Sequence, residues 1–333
     1  MSDVTGASLE YVADLLSSDY TPPERAEQNP LQALKKMKLY MYARSQAVLE
    51  KTAGRPVVLL SGGVDSISVA ATLKSLGQDP LCITVLASKG KPTDRERSEK
   101  AAEHLSLEHI IIELSSTELR SLIAQLIITL ETDELWEISA AVLLRAAFEC
   151  VEKEGIKAGP IFAGSGADVL LAGGKRLDFT RGVFEQQVEL ENLVWKSLHA
   201  SFVYERNIPD FYHRILGSNR KRLISFFQTS AAWEATCRMG PETLFVERQA
   251  QGGVKTFDKA VLRNFVAELG LPEELVWTPK EPMQESSGII GGIENLAREL
   301  ATDFPGALAH SDPMNEPSSH ALARWFLHCG LDY

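Results

Sequence analysis

Residues 56–73 read PVVLLSGGVDSISVAATL. Pro56–Leu60 is a short, uninterrupted apolar run, the pattern of a strand buried on both faces of a sheet. Ser66–Leu76 has helical composition and stops at Gly77. Between them stands Ser61-Gly62-Gly63-Val64-Asp65-Ser66. Two glycines let the backbone approach a phosphate with no Cβ in the way. The start of the next helix offers free N–H groups and the positive end of its dipole. The hydroxyls of Ser61 and Ser66 can donate to phosphate oxygens. Asp65 is the odd member, because a carboxylate beside a phosphate repels it unless a cation stands between. The loop therefore points to Mg2+. The Walker spacing GxxxxGK[ST] is missing, which excludes a P-loop of that type. A tight strand-to-helix turn with a Ser or Asp cap is the structural alternative, but it does not require the full hexapeptide.

The same alternation continues outward. Leu81–Leu86 reads as a second strand and His109–Leu114 as a third. Thr93 to Glu96 has capping-box spacing and opens a helix through Leu105, and Ser115-x-x-Glu118 opens another. A further helix covers about 136–153, and Pro160–Ala163 is a fourth strand. Apolar strands between amphipathic helices predict an α/β fold: a parallel twisted sheet with helices on both faces, whose ligands bind at the carboxyl ends of the strands. Upstream, residues 31–52 form a helix ended by Gly54 and Pro56. The expected division is a loosely ordered segment over 1–30, with Pro22, Pro23 and Pro30, an ATP-binding core over 31–182, and a mainly helical region over 183–333 that completes the active site. Residues 183–270 show several helices and no convincing strand.

Composition sets further bounds. The 333 residues carry a net charge of −11, with 44% hydrophobic and 24% charged residues. That is an ordinary globular composition, and its sign argues against a broad nucleic-acid surface. Arg214, Arg220, Lys221 and Arg222 lie close in sequence and read as a solvated helix face. Cys82, Cys150, Cys237 and Cys329 form no CxxC pair, so a zinc ribbon or redox motif is not expected. Cys82 and Cys150 read as buried thiols. No signal peptide and no membrane span are visible, and a cytoplasmic location follows as the expectation.

A second glycine-rich turn occurs at Ile161–Gly174, IFAGSGADVLLAGG, again after a predicted strand. A third notable stretch is Lys259-Ala260-Val261-Leu262-Arg263, followed by LGLPEELVWTPKEPMQESSG over 269–288. On its own, Lys259 reads as a surface lysine of an amphipathic helix, and Asp168 as a helix N-terminal acid favoured by the dipole. Lys280 follows Pro279 in a loop that no helical period explains.

Taken together, the three stretches resemble the synthetase domain of asparagine synthetase and β-lactam synthetase, in the PP-loop ATP pyrophosphatase family. The resemblance covers roughly residues 31–295 and not the amino-terminal glutaminase domain. It implies ATP cleavage between the α- and β-phosphates, activation of a carboxylate as its adenylate, and C–N bond formation with an amine, ammonia or an internal nitrogen. It implies a nucleotide site at Leu60, Ser61, Gly62, Gly63, Asp65, Ser66, Val85 and Gly164. Mg2+ would sit on Asp65 and Asp168, while Lys259 and Lys280 would reach the triphosphate and the reacting centre. Asp94 and Glu131 lie where the family carries acidic residues.

Three departures matter. Ser2 follows the first methionine and no cysteine precedes Cys82, so glutamine hydrolysis is not expected. Ser165 stands in the acceptor pocket where those enzymes carry Glu or Tyr, and a neutral serine is a poor base. Residues 240–257 diverge, so the carboxylate pocket is rebuilt. The expected partners are a small-molecule or peptide carboxylate and a separate amine or ammonia donor, with no membrane; a homodimer is compatible with all of this. The rival readings are a PP-loop tRNA or nucleobase modifier, and a nucleotide-binding homologue that has lost catalysis.

Overall fold

The computed structural model describes residues 24–90, 92–153, 158–202, 208, 210–250, 253–279, 281–301 and 318–330. Five strands, β1 (Arg55–Leu59), β2 (Leu81–Ala87), β3 (His109–Leu114), β4 (Ala158–Ala163) and β5 (Leu223–Ser225), form one sheet in the order β3-β2-β1-β4-β5. Every neighbouring pair is parallel. The chain winds outward from β1 through β2 to β3, then returns to place β4 and β5 on the other side. Winding reverses between β1 and β4, and such a reversal opens a crevice at the carboxyl ends of those strands. Both glycine-rich turns leave the sheet there.

The helices that connect and cover these strands are α1 (Pro30–Lys51), α2 (Val64–Ser75), α3 (Asp94–His104), α4 (Ser116–Leu130) and α5 (Leu135–Lys153). After β4 come α6 (Ala167–Leu170), α7 (Val183–Phe202), α8 (Phe211–Leu216), α9 (Ser230–Thr236) and α10 (Pro241–Leu244). The chain continues with α11 (Ala260–Glu268), α12 (Glu273–Val276), α13 (Met283–Ser286), α14 (Ile289–Ala301) and α15 (Ser318–Trp325). No described helix is long and apolar enough to cross a membrane.

Period-two alternation sends each strand into two cores. Val58, Cys82 and Phe162 pack on one face with residues of α1, α2 and α11. Val57, Ile83 and Ile161 pack on the other with α4, α5 and α14. All six are essentially inaccessible, which is why β1, β2 and β4 read as continuous apolar runs. Burial pushes the Cys82 thiol up to about 12, so it has almost no thiolate near neutrality. Iodoacetamide at pH 8 should leave Cys82 unmodified in the folded protein and alkylate it after denaturation. Peptide mass mapping checks this, and a carbamidomethyl group on Cys82 in the native sample contradicts it.

Three local expectations need correction. The stretch 183–270 does contain strands: β5 completes the main sheet, and Val246–Ala250 and Gly253–Phe257 form an antiparallel hairpin, β6 and β7. β5 has three residues, too few to show a period, while Glu247, Arg248 and Lys255 give the hairpin no apolar run. Thr93 precedes α3 as expected but makes no capping bond, because its hydroxyl donates to Glu281 at 2.7 Å. The Ser115–Glu118 capping box is fully formed. Finally, part of the lead-in is anchored, with Glu27 in a backbone bridge to Met239. Arg25 is buried, donates to the Met239 carbonyl at 3.0 Å, and lies 5.9 Å from the Trp233 ring.

Candidate active site

The turn after β1 is held together from within. Ser66 Oγ accepts from the Ser61 amide at 3.1 Å, lies 3.2 Å from Ser61 Oγ and donates to the Gly63 carbonyl at 3.1 Å. Its proton thus stays inside the loop, and Ser66 is buried. Gly62 adopts φ of +73°, a conformation that disfavours side chains. Gly63 then caps α2, placing Asp65 in the first turn of that helix.

The turn after β4 meets it side on. A Cβ on Gly164 would fall within 2.9 Å of the Asp65 and Ser66 backbone, so only glycine lets the turns close. Gly166 at φ of +96° starts α6, which carries Asp168. Ser165 lies between them; its hydroxyl is buried and makes no hydrogen bond among the described residues.

Asp65 and Asp168, expected to share Mg2+, are brought together in this structure around the Lys259 ammonium. That ammonium lies 2.7 and 2.6 Å from the two Asp65 carboxylate oxygens and 2.6 Å from Asp168 Oδ1. Lys259 is fully buried, Asp65 nearly so, and the Asp168 side chain is 45% exposed. The surface-lysine alternative for Lys259 is therefore wrong. Lys259 sits at the N-cap of α11 with φ of +53°, a costly conformation for a residue with a Cβ. Ala172 shares that conformation beside Asp168.

Gly173 makes room for this cluster. A Cβ there would stand 2.0 Å from Asp168 Oδ1 and 2.2 Å from Lys259 Cε. Gly173→Ala should destabilise the protein by about 1–3 kcal/mol, the usual cost of overpacking. Thermal unfolding against the parent checks this, and an unchanged midpoint would show that the cluster can spread at no cost.

The neighbouring Asp258 braces the site. It accepts from the Gly174 amide and from Arg263 Nη2 at 3.0 Å. Arg263 is almost fully buried and also donates to the carbonyls of Asp258, Val276 and Thr278. A buried guanidinium thereby fixes the backbone entering Pro279. Lys280 itself lies outside the described residues.

Two adjoining cavities open beside the turns. One is polar in its contacts and lined by Ser61, Gly62, Gly63, Arg97, Arg263 and Glu281, among others. The other is mainly apolar and includes Leu59, Leu60, Ile83, Val85, Leu143 and Ala147. Ser61, Asp94 and Met283 border both, so the two form one continuous trough. Asp94 is buried and accepts from Ser286 Oγ at 2.9 Å. Glu131 lines neither cavity and pairs with Arg214 at 3.0 Å. Sequence reasoning missed Arg97, Asp258 and the steric role of Gly173, and it assigned no role to Arg263. Only Arg263 carried a signal, through its place five positions after Asp258 in the KAVLR stretch.

The carboxylate pair can take a cation, since one ammonium already touches both members. A metal there would require the Lys259 ammonium to move aside. Among the described residues no third His, Cys, Asp or Glu completes a ligand set.

Comparison with known proteins adds the following. The model of the asparagine synthase family matches residues 45–249, more than half of the chain. No curated protein sequence matches it. Among solved structures, the chain is similar to NMN synthetase from Francisella tularensis, at 16% identity and a TM-score of 0.33, covering 62% of this chain and 91% of that one. It is also similar to NH3-dependent NAD synthetase from Campylobacter jejuni subsp. jejuni, at 17% identity and a TM-score of 0.32, covering 63% and 93%. A predicted subunit of tRNA methyltransferase from Methanocaldococcus jannaschii is similar at 18% identity and a TM-score of 0.30, covering 69% and 94%. TM-scores at this level carry no argument about activity.

Proposed function

The chain belongs to the asparagine synthase family, and from that premise we propose that it adenylates a substrate carboxylate with ATP and passes the acyl group to a nitrogen nucleophile. At the general level of the family it is an ATP-using synthetase; the acid and the nitrogen source are the open points. The observation that carries the reading is the meeting of Asp65 and Asp168 on one cation, beside a glycine loop, at the reversal point of the sheet. Those two carboxylates come from turns 103 positions apart. The two acids balance the buried Lys259 ammonium, and they also fit a triphosphate with its counter-cation.

In this reading the adenine takes the apolar end of the trough, against Leu60 and Val85, and the phosphates take the polar end at Ser61, Gly62 and Gly63. Asp65 and Asp168 would hold Mg2+ against phosphate oxygens, which would neutralise charge as pyrophosphate leaves. A carboxylate oxygen of the substrate attacks the α-phosphorus, and the bond to the bridging oxygen of the β-phosphate breaks. The nitrogen nucleophile then attacks the acyl carbon, loses a proton, and AMP departs. Lys259, released toward the triphosphate, and Lys280 would supply positive charge where charge develops. Ser165 cannot act as the base at neutral pH, so the proton leaves with another group or with a substrate that is already a good nucleophile.

The test is a reaction of the chain with ATP, Mg2+ and a metabolite extract, followed by mass spectrometry. A new amide or acyl-adenylate, with AMP and pyrophosphate, is expected. If AMP forms only when RNA is added, the reading fails in favour of a nucleic-acid modifier. If no extract fraction yields AMP, the chain is a nucleotide binder and not a synthetase.

A further inference from the structure

We infer that Arg97 is a binding residue for the pyrophosphate end of the nucleotide, which competes with Glu281 for its guanidinium. This rests on the proposed function and adds to it a residue that neither motif contains.

Arg97 lies in α3, which runs across the mouth of the loop after β1. The contact is close: a Cβ on Gly62 would fall 2.6 Å from Arg97 Cβ and 3.1 Å from the Ser98 amide nitrogen. The stem of Arg97 thus packs against Gly62, and the residue lines the polar end of the trough with Ser61, Gly62 and Gly63. Its side chain is 25% exposed.

Among the described residues, the other cations near that cavity are already committed. Arg263 spends its donors on Asp258, Val276 and Thr278. Lys259 is shared between two carboxylates and does not line the cavity. Arg97 differs: among the described residues its guanidinium makes one ion pair, to Glu281 Oε2 at 3.6 Å, and no hydrogen bond. That separation is beyond hydrogen-bond length, so all five donors remain to be used. A guanidinium presents them as a planar fork that fits two phosphate oxygens at once. Glu281 is held in turn by Thr93 Oγ1 at 2.7 Å, which anchors the carboxylate at the rim. An anion entering the cavity would draw Arg97 from Glu281, and Glu281 itself would repel that anion.

Binding of inorganic pyrophosphate, measured by calorimetry on the full chain with adenosine as a second probe, tests the assignment. Arg97→Met should weaken pyrophosphate binding about 10-fold or more, the scale of a charge-assisted hydrogen bond. Arg97→Lys should fall between, since it keeps the charge and loses the fork. Glu281→Gln should tighten pyrophosphate binding a few-fold, the direction a residue that only supports the fold would not give. Adenosine binding should stay the same in all three. Parental pyrophosphate affinity in Arg97→Met, or weaker binding in Glu281→Gln, overturns the inference. If Arg97→Met does not fold, Arg97→Lys and Glu281→Gln decide it alone. If the parent chain binds no pyrophosphate, the loop itself is misread and the proposed function falls with it, which is a separate result.

Discussion

Lys259→Met lowers the stability of the nucleotide-free protein by about 3 kcal/mol and slows ATP turnover by about 100-fold or more. The stability term follows from burial. The ammonium is fully inaccessible and is the shared counter-ion of Asp65 and Asp168. Taking it away leaves two carboxylates facing each other, and removing one member of a buried pair costs about 3–5 kcal/mol. The lower end applies because Asp168 is half open to water and partly screened. For a chain of this size the melting midpoint should fall by about 4 °C, measured without nucleotide. Adding Asp65→Asn to Lys259→Met should recover part of the loss, because removing both partners costs less than orphaning one. Lys259→Arg should not restore the parent, since Asp168 and Gly173 crowd the end of the stem and a planar fork does not replace a compact ammonium. A Lys259→Met protein as stable as the parent would show that the cluster is not closed in solution.

Asp65→Asn and Asp168→Asn should each reduce turnover by about 100-fold or more, on the scale of losing one charge-stabilising group, yet differ in stability. Asp65 gives the ammonium two oxygens from a nearly buried side chain, while Asp168 gives one from a half-exposed side chain. Asp65→Asn should therefore lower the melting midpoint clearly more than Asp168→Asn. Equal activity losses with unequal stability losses would separate a shared chemical role from unequal structural ones. Parental turnover in either variant removes that residue from the nucleotide site.

Which parts of this were legible in the sequence follows from how local each signal is. The loop after β1 and the turn after β4 carry their chemistry in contiguous residues, and each follows an apolar run that can only be a buried strand. Their meeting was inferred from resemblance, and the sheet order explains it, since β1 and β4 are neighbours across the winding reversal. The pattern around Lys259 leaves a surface position open as an alternative to a site residue, and its burial rules that alternative out. An amphipathic stretch tells nothing about a residue at its N-cap, where the backbone has turned to φ of +53° and the side chain leaves the helical face. Arg97 gave no signal at all. It stands within DRERSEK, a run of charges in which Arg97 resembles the charged Arg95, Glu96, Glu99 and Lys100 by type alone. Only the contact with Gly62, on a different element, sets it apart. β5 to β7 were invisible for the reverse reason: one is too short and the others too polar to show a strand period.

The most direct test of carboxylate activation at this site uses the acid once it is identified, labelled with oxygen-18 in its carboxylate. Attack of that carboxylate on the α-phosphorus puts one labelled oxygen into AMP when the acyl group leaves. Mass spectrometry of the nucleotide product should show AMP heavier by about 2 Da, with pyrophosphate unlabelled. Unlabelled nucleotide with the heavy oxygen in inorganic phosphate, and ADP in place of AMP, would mean attack at the γ-phosphorus and would contradict the account.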